Sequence, residues 1–339
     1  FYLNVFEYQQ QRSNNRMLIF VHFLIERDFF LDQYLMIDRD LAEISLETGL
    51  ECHQVTEIRN SPGAAGTVAN NLVALDVSVN ALSTIGKDGR GFDLKTELLK
   101  RNVDIRALIE SSRIMTPTYT KPMVQGKNEP LHELERIDIK NRSHLPIEIE
   151  DTLIENLENS FQLADGIVLV DQVQEENCGV LTDRVRNQIA ALALKYPDKP
   201  VLADSRLRSA AFKNVTVKCN LSEALNVTGE SDVERAAKKM VAGGARSAFI
   251  TMGEKGIFAY SNGKGVTVPA VRVDGPIDIC GAGDSAAAGI LSALCAGASF
   301  EEAAIIGNLT ASITIQQIGT TGTASREGIV RRAFEFFGE

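Results

Sequence analysis

Between Pro276 and Gly289 the chain reads PIDICGAGDSAAAG. From Gly281 onward a single carboxylate, Asp284, stands in a stretch stripped to glycine, alanine and serine. Two physical readings account for that bareness. A Gly-rich turn entering a helix presents N–H groups that no intrahelical carbonyl accepts, and the helix dipole helps them hold an anion. Gly281, Ala282 and Gly283 can supply such amides. Asp284, in the first helical turn, can then take a proton from an attacking hydroxyl while the amides hold the charge developing on a transferred group. The other reading is a helix start with a dipole-complementing Asp and small neighbours for close packing. GAGDSA also fits GxGxxA, but that fingerprint opens a βαβ unit and needs an acidic residue about twenty positions on, at the end of the next strand. Here the segments that follow read as helices.

The surrounding pattern supplies the fold. Apolar runs of strand length, GIVLVD (Gly166–Asp171), PVLAD (Pro200–Asp204), VTVKCN (Val215–Asn220) and SAFITMG (Ser247–Gly253), alternate with amphipathic segments such as Leu181–Lys195 and Val233–Ala242. Continuous apolar strands with helical crossovers predict a mainly parallel sheet covered on both faces. The chain closes with helices over Asp284–Ala296, Glu301–Gln316 and Arg326–Phe337. In the first half a helix is expected from Gly66, a strand over Val79–Ile85 and a helix over Gly91–Arg101. Gln33–Asn60 and Arg113–Arg142 break this rhythm and read as strands of a small projecting sheet. The expected division is an α/β body of residues 1–32, 61–112 and 143–339, with a β lid of 33–60 and 113–142. Several body strands end in a polar residue, Asp171, Asp204, Asn220 and Thr251, at the carboxyl edge where open α/β sheets bind ligands.

Composition narrows the function. The 339 residues carry a formal net charge of -10, which disfavours nucleic acid or an anionic membrane as partner. Five cysteines without a CxxC pair read as reduced thiols of a cytoplasmic protein. Four histidines show no HxxxH or HExxH spacing, against a side-chain zinc site. MLIFVHFLI (Met17–Ile25) is too short to span a bilayer and reads as a buried first strand. No GxxxxGK[ST] loop occurs, so a P-loop enzyme is excluded.

Three further stretches carry chemistry. In NLSE, Asn220 and Glu223 are spaced either to approach one hydrated Mg²⁺ or to form a helix capping box. In TMGEKG, Thr251, Gly253 and Gly256 either let a backbone approach phosphates or form a hairpin turn into GIFAY. SPGAAGTVANN (Ser61–Asn71) is another small-residue entry into a helix, open to a substrate or tightly packed.

In this order the motifs resemble those of the ribokinase-like (PfkB) family of carbohydrate kinases, from about residue 28 to the end. FFLDQY, EISLET, TPTYTK, ERIDIK and the GTTGT near Thr320 are similar to segments of the kinase half of bacterial heptose-phosphate kinases. No HxGH occurs, so the adenylyltransferase half of those bifunctional enzymes is not expected here. The resemblance implies a three-layer ribokinase-like fold with a β lid, ATP as co-substrate and Mg²⁺. It implies a sugar or sugar phosphate as acceptor, and a homodimer made by clasped lids. By the same resemblance Asp284 is the base and Gly281, Ala282 and Gly283 are the anion hole. Asn220 and Glu223 organise Mg²⁺ through water. Thr251, Gly253 and Gly256 lie along the phosphates with Asn308 near the adenine. Asp32, Gly63, Thr67, Asp171 and Arg136, the last from the lid, face the sugar. Asp278 and the Cys280 carbonyl occupy the positions of a monovalent cation such as K⁺.

Departures from the family include two at the sugar end. Thr67 replaces the asparagine of Gly-Gly-x-x-Asn, and Arg27 replaces the glycine ending the first strand. Ile279 and Cys280 stand for two threonines, and Cys219 for a proline. Thr67 and Arg27 motivate an alternative, a non-catalytic nucleotide or sugar-phosphate sensor on a kinase scaffold. A dinucleotide-dependent oxidoreductase rests on GAGDSA alone.

Overall fold

The computed structural model describes residues 22–26, 29–319 and 321–338. In chain order the first strands are β1 (His22–Glu26), β2 (Phe29–Ile44) and β3 (Glu51–Ala64). Helix α1 (Ala65–Ala74), strand β4 (Ser78–Gly86) and helix α2 (Gly89–Lys100) follow. Then come β5 (Val103–Asp104), β6 (Leu108–Ser111), β7 (Thr118–Gln125), β8 (His132–Glu133) and β9 (Ile137–Ile139). The second half alternates: α3 (Ile147–Leu163), β10 (Gly166–Asp171), α4 (Asp183–Lys195), β11 (Val201–Ser205), β12 (Thr216–Asn220), α5 (Leu221–Thr228), α6 (Val233–Ala242) and β13 (Ser247–Thr251). A hairpin, β14 (Ile257–Ser261) and β15 (Lys264–Val268), precedes α7 (Ala282–Cys295), α8 (Phe300–Thr314) and α9 (Arg326–Phe337).

The large sheet runs β15-β14-β13-β12-β11-β10-β1-β4-β5, with β6 beside β4. It is parallel from β13 through β5 and ends in the antiparallel β13–β14–β15 edge. Every residue of β10 is buried, as the unbroken apolar run requires of a sheet covered on both faces. Side chains alternate along a strand. Val168 and Val170 therefore join the core under α1, α2, α7, α8 and α9, whereas Ile167 and Leu169 join the core under α3–α6. Those two cores make the three layers.

The helices begin where their caps dictate. Ser299 accepts from Glu302 N and the Glu302 side chain returns to the Ser299 amide, a capping box that starts α8. Ser299→Ala is expected to cost about 1 kcal/mol, read as a lower urea midpoint at unchanged m-value; an unmoved midpoint contradicts this role. The α7–α8 contact depends on absent side chains. A Cβ on Gly289 would lie 2.5 Å from Thr310 Oγ1, and one on Gly307 2.8 Å from Ile290 Cγ1.

The second sheet runs β3-β2-β7-β8, with β9 also on β7. It contains both stretches expected to project, but its ladder is longer than Gln33–Asn60. Pairing of β2 with β3 already begins at Phe29↔Ala64, so Asp32 and Gly63 stand on the small sheet's own strands. β1 lies between β4 and β10, where the chain crosses from one half of the large sheet to the other. Open α/β sheets place their ligand crevice at such a switch point, and the small sheet begins at the carboxyl end of β1. Of MLIFVHFLI, His22–Ile25 lie in β1; Met17–Val21 and Arg27 lie outside the described residues.

Candidate active site

PIDICGAGDSAAAG resolves into positions with separate reasons for their bareness. Gly281 is the residue before α7 and has φ +79°, the left-handed region that an L side chain resists. A Cβ there would also lie 3.1 Å from Thr67 Cγ2. Ala282 N–H donates to Ile279 O at 3.1 Å, so of the three expected anion-hole amides this one is engaged inside the turn. Gly283, in the first helical turn, has no intrahelical acceptor for its amide. A Cβ on it would lie 3.1 Å from Lys218 Nζ. No strand of the sheet runs into Gly281, and α8 follows α7 directly. The βαβ context of a dinucleotide fingerprint is therefore missing, which removes the oxidoreductase reading.

The carboxyl edge of the sheet is more self-satisfied than its sequence suggests. Asp171 is buried and accepts from Ser205 Oγ at 2.8 Å and from Arg208 Nε at 3.0 Å and Nη2 at 2.6 Å. Its carboxylate is engaged in fixing Arg208. Asp204 accepts from Lys218 Nζ at 2.7 Å. Burial opposes the Lys218 charge, but the carboxylates of Asp204, Asp284 and Glu223 hold the ammonium above the ordinary lysine value. Asn220 Oδ1 accepts from Glu223 N at 2.9 Å, and Glu223 Oε2 accepts from Asn220 N at 2.8 Å. The capping box thus forms, and it uses one oxygen of each side chain. A carboxylate has about four lone-pair sites, so Glu223 Oε1 can still meet a metal-bound water. Burial pushes the Glu223 carboxyl above its usual range, opposed by the Asn220 amide.

The hairpin reading of TMGEKG is also realised, since β13 pairs antiparallel with β14. Thr251 Oγ1 donates to Cys219 O at 3.4 Å. Gly253 has φ +60° with nothing within 4 Å of a built Cβ, an open face beside the turn. Gly256 is different: its Cβ would lie 2.0 Å from Val268 O, so the neighbouring backbone explains this glycine. Asn308 is buried and donates to Val268 O at 3.1 Å and Pro269 O at 3.0 Å. With Pro269, Val271, Ile305 and Phe337 it lines a cavity of about 250 Å³. The cavity is apolar with a few polar groups, as small-molecule pockets are.

The small sheet contributes a pair that the motifs do not announce. Lys121, on β7, makes an ion pair with Asp32 Oδ1 at 3.1 Å and donates to Tyr34 OH at 3.1 Å. Burial alone would lower the Lys121 ammonium, but Asp32 and Tyr34 hold it above the ordinary value. A Cβ on Gly63 would lie 2.4 Å from Asp32 Oδ2, so that glycine makes room for the carboxylate. The Cys280 thiol, raised first by burial and then by Asp278, also feels Lys121, Asp32 and Asp284.

Three further expected site residues have partners within the fold. Thr67 is 2% exposed, with its methyl toward Gly281; a helix-facing side chain cannot be told from a crevice-facing one by motif alone. Arg136 pairs with Asp138 at 2.7 Å and lies over the Tyr119 ring at 4.5 Å, remaining on the small sheet. Asp278 accepts from Cys280 N at 3.0 Å and Gly319 N at 3.1 Å, tying the turn to the segment after α8. Among the described residues no cluster of three metal-ligating side chains occurs, and no helix is long and apolar enough to cross a membrane.

Residues 33–326 match the family model described as pfkB family carbohydrate kinase. The bifunctional protein HldE of Geotalea uraniireducens (strain Rf4) is 27% identical over 313 residues, which cover 90% of this chain and 61% of that protein. HldE of Caulobacter vibrioides (strain ATCC 19089 / CIP 103742 / CB 15) is 29% identical over 316 residues, covering 90% and 62%. The chain spans about three fifths of the length of these relatives. Among solved structures, phosphofructokinase-2 from Escherichia coli in complex with potassium superposes with a TM-score of 0.69 at 19% identity, covering 93% of this chain and 99% of that one. The Methanocaldococcus jannaschii nucleoside kinase, an archaeal member of the ribokinase family, gives a TM-score of 0.61 at 18% identity, covering 93% and 98%. These neighbours share the ribokinase-like three-layer fold, and the match over residues 33–326 establishes that the chain belongs to the pfkB family of carbohydrate kinases.

Proposed function

We propose that this carbohydrate kinase transfers the γ-phosphoryl group of ATP to a hydroxyl of a sugar or sugar phosphate, with Asp284 as the base. One observation carries the reading. Asp284 is the third residue of α7, three positions after the left-handed Gly281, and the Gly283 before it lies against Lys218, with a built Cβ 3.1 Å from Nζ. A proton acceptor, helix-start amides and a buried lysine at one helix start suit phosphoryl transfer, in which positioning and electrostatics do most of the work.

In this mechanism Asp284 takes the acceptor proton as the new P–O bond forms and the bond from the γ-phosphorus to the β,γ-bridging oxygen breaks, with ADP as the leaving group. The amides at the start of α7, Gly283 foremost, face the transferring group. Asn220 and Glu223 would hold hydrated Mg²⁺ through its waters; the second lone pair of Asn220 Oδ1 and the Oε1 of Glu223 are oxygen acceptors left over from the cap, which fits an ion that keeps several waters. The ion supplies neutralisation of the phosphates. The cavity beside Asn308 takes the base, and the open face at Gly253 takes the phosphates. The small sheet acts as a lid that excludes water, with Asp32 and Lys121 meeting the acceptor. Asp278 and the Cys280 carbonyl are the proposed surroundings of a monovalent cation. A second copy is the proposed cover for the exposed Leu41, Ile44, Val55 and Ile58 of the lid strands.

Lys121→Met is expected to raise KM for the acceptor by about 10-fold or more, the effect of losing a charged hydrogen bond, with KM for ATP unchanged. Equal increases in both constants would contradict its place at the acceptor. The reading as a whole is tested by ADP release across sugars, sugar phosphates and nucleosides. Turnover is expected with at least one sugar or sugar phosphate. ATP binding without turnover on any of them favours a sensor.

A further inference from the structure

Lys218 sits where a strand interior should be apolar. It is central in the sheet, on β12 between β11 and β13, and only 4% exposed. Its ladder partner on β11 is Asp204, and Nζ donates to Asp204 Oδ2 at 2.7 Å. A buried pair of this kind adds little net stability, because desolvation offsets the attraction. Its consequence lies in the field it sets. The negative charges of Asp284 and Glu223 add to that of Asp204 in favouring the charged ammonium. The ammonium also lies so close beneath the start of α7 that a Cβ on Gly283 would be 3.1 Å from Nζ. Gly283 is bare on the side of the lysine, which lets the ammonium approach the helix start from the sheet.

We propose that Lys218 is a positioning residue for phosphoryl transfer. Its ammonium, seated against Gly283 beneath the first turn of α7, fixes that turn and the Asp284 carboxylate relative to Glu223. It also offsets their summed negative charge where an anionic phosphoryl group must arrive. Like charges there would repel the incoming group, and a buried cation acts at lower effective dielectric than one in solvent. The lysine does not touch the transferring group; it acts through Gly283 and Asp284.

This inference rests on the phosphoryl-transfer reading above, and the experiment separates the two. Lys218→Met alone leaves Asp204 buried without its cation, so the informative variant is Lys218→Met with Asp204→Leu, which replaces the pair by apolar side chains. The double variant is expected to melt close to wild type, to keep KM for ATP within about threefold, and to lose about 10²-fold in kcat, as displaced reacting groups do. A kcat within about twofold of wild type overturns the inference, because the lysine would then only neutralise Asp204. Should the double variant not fold, Asp204→Asn decides, since it keeps the ammonium. Retention of more than about a tenth of kcat is expected there, and a loss of about 10²-fold overturns the inference. Asp284→Asn runs beside these variants. Turnover surviving in Asp284→Asn sinks the phosphoryl-transfer reading itself; turnover lost there but intact in the double variant sinks only the role of Lys218.

Discussion

Asp284→Asn is expected to lower kcat for acceptor phosphorylation by about 10²–10⁴-fold, the cost of one general base, while ATP still binds. The substitution keeps the side chain's size and changes what it can do. An amide cannot take a proton from the acceptor hydroxyl, whereas a carboxylate at the start of α7 can, and the helix dipole favours its ionised form. ATP affinity should hold or rise slightly, because the cavity lined by Pro269, Val271 and Asn308 is untouched and one negative charge near the phosphates is gone. The check is a pair of measurements on one preparation: single-turnover rate and ATP titration by calorimetry. A near-wild-type rate removes Asp284 as the base; loss of both rate and ATP binding makes it a structural residue.

Gly256→Ala is expected to be the most damaging glycine substitution at the nucleotide edge. Gly256 has φ 90° and ψ -141°, a region essentially reserved for glycine, and an added Cβ would lie 2.0 Å from Val268 O and 2.6 Å from Ala270 N. Those are backbone atoms and cannot swing aside. Backbone strain of about 1–3 kcal/mol and overpacking of about 1–3 kcal/mol together give roughly 2–6 kcal/mol. The displaced segment, Val268–Pro269, is the one Asn308 holds with two hydrogen bonds, so ATP affinity should fall as well. Gly253→Ala, in the same motif, meets open space and is expected to cost only about 1–2 kcal/mol for its left-handed backbone. Melting curves with and without ATP check the contrast. Equal midpoints for the two variants would contradict it.

The contrast also shows what the sequence could and could not reveal. The strands GIVLVD and SAFIT and the helices Val233–Ala242 and Arg326–Phe337 lie where the apolar patterns place them, because local periodicity decides them. NLSE and TMGEKG each carried two readings. The local one, a capping box and a hairpin, formed in both cases and leaves oxygens or open faces for a ligand. What was not legible depends on partners far along the chain. Asp171 reads as an open strand-end acid until Arg208, 37 residues on, folds back to it. Lys218 lies within VTVKCN as a charge in an apolar run. That anomaly calls for a buried partner, but only the register with β11 shows the partner to be Asp204. The bareness of Gly281–Gly283 divides in the same way: Gly281 answers to backbone conformation and Thr67, and Gly283 to Lys218.

The central claim is tested most directly by ³¹P NMR of the wild-type chain with ATP, Mg²⁺ and a panel of sugars and sugar phosphates. A new phosphate-ester resonance is predicted with at least one acceptor, appearing in step with ADP and absent when Asp284→Asn replaces wild type. ATP that binds yet yields no ester with any acceptor, or yields only inorganic phosphate, would contradict the account.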